Sequence, residues 1–180
     1  MYSKTQDVDI VVSEQSLDQE DIKETIADAD SRYYLVPSKR GSFQKLYCRL
    51  PGWATDSTRC VKVDILVPPT LNLPTINGSE TYRISDIPVM PIFDLLVMKT
   101  QGWWDDRNSN RPDLRAKERD NVSDIFALLD CATQGNVSYA NEAKKYRHSR
   151  EFMNHARTLV NKFVSAYDRP RQWRALGFPV

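Results

Sequence analysis

The sequence has no long apolar run and almost no net charge, and both absences limit its possible roles. None of its apolar runs approaches the length that crosses a membrane, and residues 1–7 lack the apolar segment of a secretory signal. We therefore expect a cytoplasmic protein that is not embedded in a membrane. The formal net charge is +1, from 25 Lys and Arg and 24 Asp and Glu, so any polyanion must bind to a local patch.

Cysteine and histidine are also scarce. Cys48, Cys60 and Cys131 are odd in number and lack the spacing of zinc ligands, which argues against a disulfide framework or a zinc site. His148 and His155 are expected on one long helix, without carboxylate neighbours in a ligand pattern. No Ser-His-Asp or Cys-His arrangement for nucleophilic catalysis stands out.

The composition suits one folded domain of 180 residues, with 41% hydrophobic and 27% charged residues. All the predicted strands lie in residues 1–91, and residues 92–180 have mainly helical patterns. We expect these to be the sheet-rich and helical halves of a single domain. This order predicts an α+β fold, in which a small mixed β-sheet is followed by a helical C-terminal half.

Hydrophobic periodicity locates the elements of each half. Alternation predicts strands at residues 5–12, 43–50 and 59–67, the last two as an antiparallel hairpin. Residues 68–91 indicate an irregular connection with one short strand at residues 81–84, and residues 105–112 a mobile polar segment. Helical spacing predicts helices at residues 19–33, 92–104, 114–131 and 139–167.

Three aspartates in apolar, β-branched runs are the strongest chemical signal. Asp7 and Asp9 are two residues apart in a strand, so they point to one face while Val8 and Ile10 point to the other. Neighbouring carboxylates repel each other unless a cation lies between them, so the pair favours a divalent metal. Asp64 completes the site if its strand lies beside the first. The alternative is a half-exposed sheet whose aspartates face solvent without a ligand.

The order of the motifs resembles a known family. The Asp-Val-Asp of residues 7–9 and the Val-Asp-Ile of residues 63–65 resemble the polymerase β-type nucleotidyltransferase fold. The segments at residues 92–99 and 117–125 resemble a helix pair of the abortive-infection type (type IV toxin-like) nucleotidyltransferases. The resemblance covers residues 5–129. It implies a nucleotidyltransferase-type sheet and transfer of a nucleotidyl group from a nucleoside triphosphate to a hydroxyl acceptor.

The resemblance also implies a metal and an acceptor. Asp7, Asp9 and Asp64 would bind magnesium, as one ion or two, and Asp64 would help to position or deprotonate the attacking hydroxyl. The nucleoside triphosphate is the expected substrate, and RNA or a small molecule is the expected acceptor. The alternative function is a catalytically inactive interaction or scaffold module of the same fold.

Further site residues are implied on the helix pair. Lys99 would reach the nucleotide phosphates, Lys117 would add positive charge, and Asp120 and Asp124 would orient these lysines. Helical spacing agrees, because Asp120 and Asp124 are four residues apart and share a face with Lys117. A surface row of ion pairs is the alternative explanation of the same spacing.

The chain departs from the family at one element. Nucleotidyltransferases place a Gly-Ser pair ahead of the Asp-x-Asp motif to bind the triphosphate, whereas only six residues precede Asp7. The pairs at residues 41–42 and 78–79 follow the motif, so neither is carried over. Loss of an edge strand and a helix would expose apolar sheet surface, and we therefore expect a homodimer.

Two basic segments and a tryptophan pair complete the candidate features. Residues 144–150 and 169–174 combine positive charge with aromatic residues, a pattern that suits RNA or, more commonly, a charged helix face. If the protein modifies an RNA end, we expect Arg147 and Arg171 to contact that RNA. For Trp103 and Trp104, we expect one ring in the core.

Overall fold

The chain folds into two compact units, Met1–Thr70 and Leu71–Val180, in a computed structural model. The described residues are 7–12, 16–39, 41–52, 58–68 and 81–180. The first unit holds a mixed four-stranded sheet, whereas the second holds a two-stranded sheet and the C-terminal helices. The α+β class predicted from the sequence is therefore confirmed at this level.

The described part of the first unit has a parallel strand pair beside two antiparallel ones. Its elements are β1 (Asp7–Val11), α1 (Gln19–Ala29), β2 (Tyr33–Pro37), β3 (Gln44–Arg49) and β4 (Cys60–Leu66). The strand order is β1-β4-β3-β2, with β1 parallel to β4 and the other pairs antiparallel. The predicted hairpin of β3 and β4 is confirmed. Leu46, Val63 and Ile65 are buried on the face that packs against α1.

The helix predicted at residues 19–33 was too long. α1 begins after Asp18, whose carboxylate accepts a hydrogen bond from the Glu20 N–H at 2.7 Å. It ends at Ala29, because Asp30 is extended and accepts hydrogen bonds from both the backbone and the guanidinium of Arg32. Such local bonds of an aspartate compete with a further helical turn. Residues 33–37 form strand β2 instead.

The described part of the second unit begins with a β-hairpin and continues as helices. Its elements are β5 (Tyr82–Ile84), β6 (Ile87–Val89), α2 (Ile92–Arg107), α3 (Pro112–Arg115), α4 (Glu118–Gln134), α5 (Tyr139–Lys145), α6 (Arg150–Tyr167) and α7 (Pro170–Ala175). Half of the predicted connection at residues 68–91, namely residues 69–80, lies outside the described residues. What is described forms the β5–β6 hairpin, whose turn residues Ser85 and Asp86 have positive φ angles of 48° and 66°.

Three helices enclose the apolar core of the second unit. α2 packs against α4 and α6, and Trp103 of α2 and Phe163 of α6 are fully buried there. Trp173 of α7, which packs against α4, is also fully buried in this core. The expectation that one ring of the tryptophan pair enters the core is confirmed, since Trp103 is buried and Trp104 only partly so. Within the described ranges, no helix has both the length and the apolar character needed to cross a membrane.

Three helices predicted in this unit have other bounds in the structure. The helix predicted at residues 114–131 is divided into α3, which ends at Arg115, and α4, which begins at Glu118. α2 extends to Arg107, so residues 105–107 are helical rather than part of a polar loop. The predicted helix at residues 139–167 is two helices. Arg147 has a left-handed φ of 51°, and the Ser149 hydroxyl caps α6 by accepting from the Phe152 N–H at 3.1 Å. A left-handed residue followed by an N-cap ends one helix and starts the next.

Candidate functional site

The strand carboxylates lie together on one face of the first unit's sheet. In the parallel β1–β4 pair, Asp9 is in register with Asp64, and Asp7 is in register with Lys62. Because side chains alternate along a strand, all four residues point away from the face that packs on α1. The condition stated from the sequence, that the strand of Asp64 lies beside the first strand, is met.

Lys62 supplies a positive charge that the sequence analysis did not consider. Its ammonium forms an ion pair with Asp64 Oδ2, and the two side chains are 31% and 35% exposed. Burial favours a lower pKa for Lys62, but the hydrogen bond to Asp64 and the attraction of Asp64, Asp7 and Asp9 together raise that pKa. The sequence did indicate this contact, because Lys62 precedes Asp64 by two residues and such residues share one face of a strand.

The group suits a divalent cation by its chemistry. Three carboxylates and one ammonium leave a formal charge of −2, which one divalent cation would neutralise. Magnesium usually takes one or two carboxylates together with phosphate oxygens and water. Among the described residues, no three His, Cys, Asp or Glu side chains form a group that could hold a metal ion. The charge of the residues fits a divalent cation that also takes phosphate oxygens and water as ligands.

Aromatic and basic side chains continue the same face across β3 and β2. Tyr47 is in register with Lys62, and Tyr34 is in register with Tyr47. The two tyrosine rings are stacked, with centroids 5.7 Å apart, and the Arg49 guanidinium lies 4.5 Å from the Tyr34 ring centroid. The sequence analysis missed this arrangement because it did not predict β2.

The predicted phosphate-binding residues lie in the second unit. Lys99 Nζ on α2 donates to Asp124 Oδ2 on α4 at 3.1 Å, and these side chains are 40% and 52% exposed. The resemblance implied a contact of this kind. Lys117 lies at the N-cap of α4 and Asp120 lies in its first turn, and both are exposed. The catalytic roles of Lys99, Lys117 and Asp120 stay predictions.

The two basic segments are partly engaged by aromatic rings. Lys145 Nζ donates to the Tyr82 hydroxyl at 3.2 Å, and the Arg169 guanidinium lies 4.9 Å from the Phe126 ring centroid. An open cleft of about 530 Å³ runs along the second segment. Its lining consists of Thr133, Asp168, Arg169, Pro170, Arg171 and Gln172. RNA binding by these segments stays a prediction.

The prediction for His148 was wrong. His148 precedes α6 rather than lying on it, and its Nε2 lies 2.8 Å from Oδ1 of Asp94. Both side chains are buried, with exposures of 1% and 0%. His155 does lie on α6 and contacts Gln101 at 2.6 Å. No local pattern connects Asp94 to His148, because the tertiary packing of the second unit brings them together.

Comparisons of the chain with protein-family models, curated proteins and solved structures found no match. The likeness to nucleotidyltransferases therefore depends on the motifs alone. Function has to be argued from the geometry and charge of the residues described above.

Proposed function

We propose that the carboxylate face of the first unit binds a magnesium–nucleoside triphosphate complex in a fold of the nucleotidyltransferase type. The carrying observation is the β1–β4 register, which makes Asp9 and Asp64 direct neighbours and puts Asp7 on the same face. Two adjacent carboxylates that share a cation with phosphate oxygens are a recurring arrangement in phosphoryl transfer. The order of the motifs in the sequence supports the same proposal.

The proposed reaction moves a nucleotidyl group to a hydroxyl of RNA or of a small molecule and releases pyrophosphate. Magnesium would neutralise phosphate charge and orient the triphosphate on the strand carboxylates. Asp64 would also position the attacking hydroxyl. Lys99, Lys117 and Asp120 belong to the second unit, and only the resemblance supports a role for them in phosphate binding.

A catalytically inactive module of the same fold is the second candidate, and Lys62 is the observation that favours it. Its ammonium already neutralises part of the carboxylate charge through Asp64. The sheet therefore has a source of compensation that needs no metal. Such a module would keep the face as a docking surface without transferring a nucleotide.

Self-association is a further part of the proposal. Among the strands that the structure describes, β1 lies at the edge of the order β1-β4-β3-β2, and its Val8 and Ile10 are 42% and 41% exposed. An edge strand offers unpaired backbone groups that a second copy of the chain can pair with. Sedimentation velocity at micromolar concentration should show a dimer, and a monomer alone would contradict this expectation.

Calorimetry with magnesium and each nucleoside triphosphate tests the main proposal. The informative variant is Asp9→Ala with Asp64→Ala. Its matched control is Glu24→Ala with Asp28→Ala, which removes two exposed carboxylates from α1 in the same unit. We expect the wild type and the control to bind a triphosphate with an affinity on the order of micromolar. The site variant should lose that binding.

The binding experiment tests the site, and a turnover assay then decides between the two candidate functions. Wild-type protein that binds no triphosphate would overturn the proposal, and binding retained by the site variant would place the ligand elsewhere. If triphosphate binds, release of pyrophosphate upon addition of an RNA or small hydroxyl acceptor identifies an enzyme. Binding without turnover would support the inactive module.

A further inference from the structure

A buried acid–base pair lies in the second unit, outside the proposed nucleotide site. His148 Nε2 is 2.8 Å from Asp94 Oδ1, with side-chain exposures of 1% and 0%. Asp94 belongs to the first turn of α2, whereas His148 belongs to the short connection between α5 and α6. The pair therefore joins that connection to α2.

The backbone and the neighbouring rings hold His148 in the interior. Arg147 has a left-handed φ of 51°, a conformation that costs free energy in a residue with a side chain. The imidazole lies between Phe93 of α2 and Phe152 of α6, with ring centroids 6.0 Å and 4.8 Å away. Packing of the imidazole thus holds the connection in a conformation that the backbone alone disfavours.

Other titratable groups near the pair come mostly from α5. Glu142 is buried and interacts electrostatically with both Asp94 and His148. The Tyr146 ring centroid lies 5.8 Å from that of His148. Lys145 interacts with Glu142, Tyr146 and the β5 residue Tyr82. Tyr139, at the start of α5, packs its ring against that of Phe93, and the two ring centroids are 6.1 Å apart.

The cluster is short of hydrogen-bond partners. Both carboxylate oxygens of Asp94, Glu142 Oε2 and both ring nitrogens of His148 are buried without a hydrogen-bond partner among the residues that the structure describes, although Asp94 Oδ1 and His148 Nε2 lie 2.8 Å apart. Buried polar atoms without partners destabilise the folded state, more strongly when they carry charge. The stability of this region therefore depends on whether the carboxyl groups of Asp94 and Glu142 are protonated.

We propose that Asp94 and His148 form a pH-responsive clasp that holds the α5–α6 connection on α2 and loosens as the pH rises. As the pH rises, ionisation of the Asp94 carboxyl group places a negative charge in an apolar interior, where Asp94 Oδ2 has no hydrogen-bond partner among the described residues. The connection can then open, which hydrates the carboxylate and releases the left-handed Arg147.

The pKa shifts of the two buried carboxyl groups have the direction that the proposal requires. Burial raises the pKa of Asp94, and contact with His148 offsets part of that rise. Burial likewise raises the pKa of Glu142, against the attraction of Lys145. A carboxyl group whose pKa is raised by folding stabilises the folded state below its ordinary pKa, and this stabilisation is lost as the pH rises through the raised value. The clasp is therefore tightest in acid.

Hydrogen exchange of the full-length protein tests the clasp directly. The probe is the His148 amide, which donates to the Ala143 carbonyl at 3.1 Å. Between pH 5 and pH 8, we expect the protection factor of this amide, corrected for the intrinsic exchange rate, to fall about tenfold. A change of this size is within what the release of one proton on opening can produce. Asp94→Asn should reduce this change to less than threefold. Glu151→Gln is the matched control, because it removes an exposed carboxylate from the first turn of α6 and should behave as the wild type.

The proposal is overturned if wild-type protection does not fall across this range, or if Asp94→Asn keeps the full wild-type change. Should Asp94→Asn not fold, Asp94→Ser replaces it, since serine can still hydrogen-bond but does not titrate in this range. An Asp94→Ser protein with the wild-type pH dependence would equally overturn the clasp. A wild-type fall that is reduced in the titration-deficient variant and retained in Glu151→Gln would support it.

Discussion

Replacement of Lys62 by methionine offers the sharpest test of the charge balance on the carboxylate face. Methionine keeps most of the apolar stem and removes the ammonium. The pair with Asp64 is about one-third exposed, and partly exposed pairs of this kind contribute at most about 1 kcal/mol. Lys62 also attracts Asp7 and Asp9, so its removal leaves three carboxylates facing one another.

The size of the effect on stability follows from the separation of the charges and from salt screening. Two like charges on adjacent strands, about 5 Å apart, repel by about 1 kcal/mol in surroundings that resemble water. We therefore expect Lys62→Met to lower the free energy of unfolding by about 1–2 kcal/mol at low salt. At 1 M salt the screening length is about 3 Å, and most of the loss should disappear.

Urea unfolding followed by circular dichroism measures the loss, at low and high salt and with or without magnesium. Lys39→Met is the matched control, because Lys39 is an exposed lysine in the same unit. Magnesium should restore more stability to Lys62→Met than to the wild type, since the cation replaces the missing charge. A Lys62→Met protein as stable as the wild type at low salt, or one whose loss does not depend on salt, would refute this reasoning.

Three further substitutions test other parts of the structure. Asp124→Asn breaks an exposed pair with Lys99, so a thermal melt should show a loss of stability below about 1 kcal/mol. Trp103→Leu leaves a cavity in the apolar core of the second unit and removes the hydrogen bond to Tyr167. It should lower the free energy of unfolding, measured by urea denaturation, by about 3 kcal/mol. Asp18→Ala removes the N-cap of α1 and should cost about 1 kcal/mol, seen as faster hydrogen exchange in the first turn of that helix.

Hydrophobic alternation was sufficient to predict most of the first sheet. The apolar and β-branched runs around Asp9 and Asp64 indicated strands, and the hairpin of β3 and β4 followed from a short polar connection. The parallel pairing of β1 with β4 was stated only as a condition. Strand order and register depend on which faces pack against α1, and a sequence pattern does not contain that packing.

The errors have physical causes in particular residues. Asp30 ended α1 early by forming local hydrogen bonds to Arg32, which left residues 33–37 free to pair with β3. Arg147 divided the predicted long helix and turned His148 inward. The buried pair with Asp94 connects residues far apart in the chain, so only the packed structure reveals it.

Paramagnetic broadening by manganese, used in place of magnesium with a nucleoside triphosphate, tests the central claim most directly. Residue-resolved NMR spectra of the labelled full-length protein would show which amides lie near the ion. We predict selective broadening of the amides of β1 and β4 around Asp9 and Asp64, and its loss in the Asp9→Ala, Asp64→Ala variant. Broadening that is absent from these strands, or that persists in the variant, would contradict the proposed site.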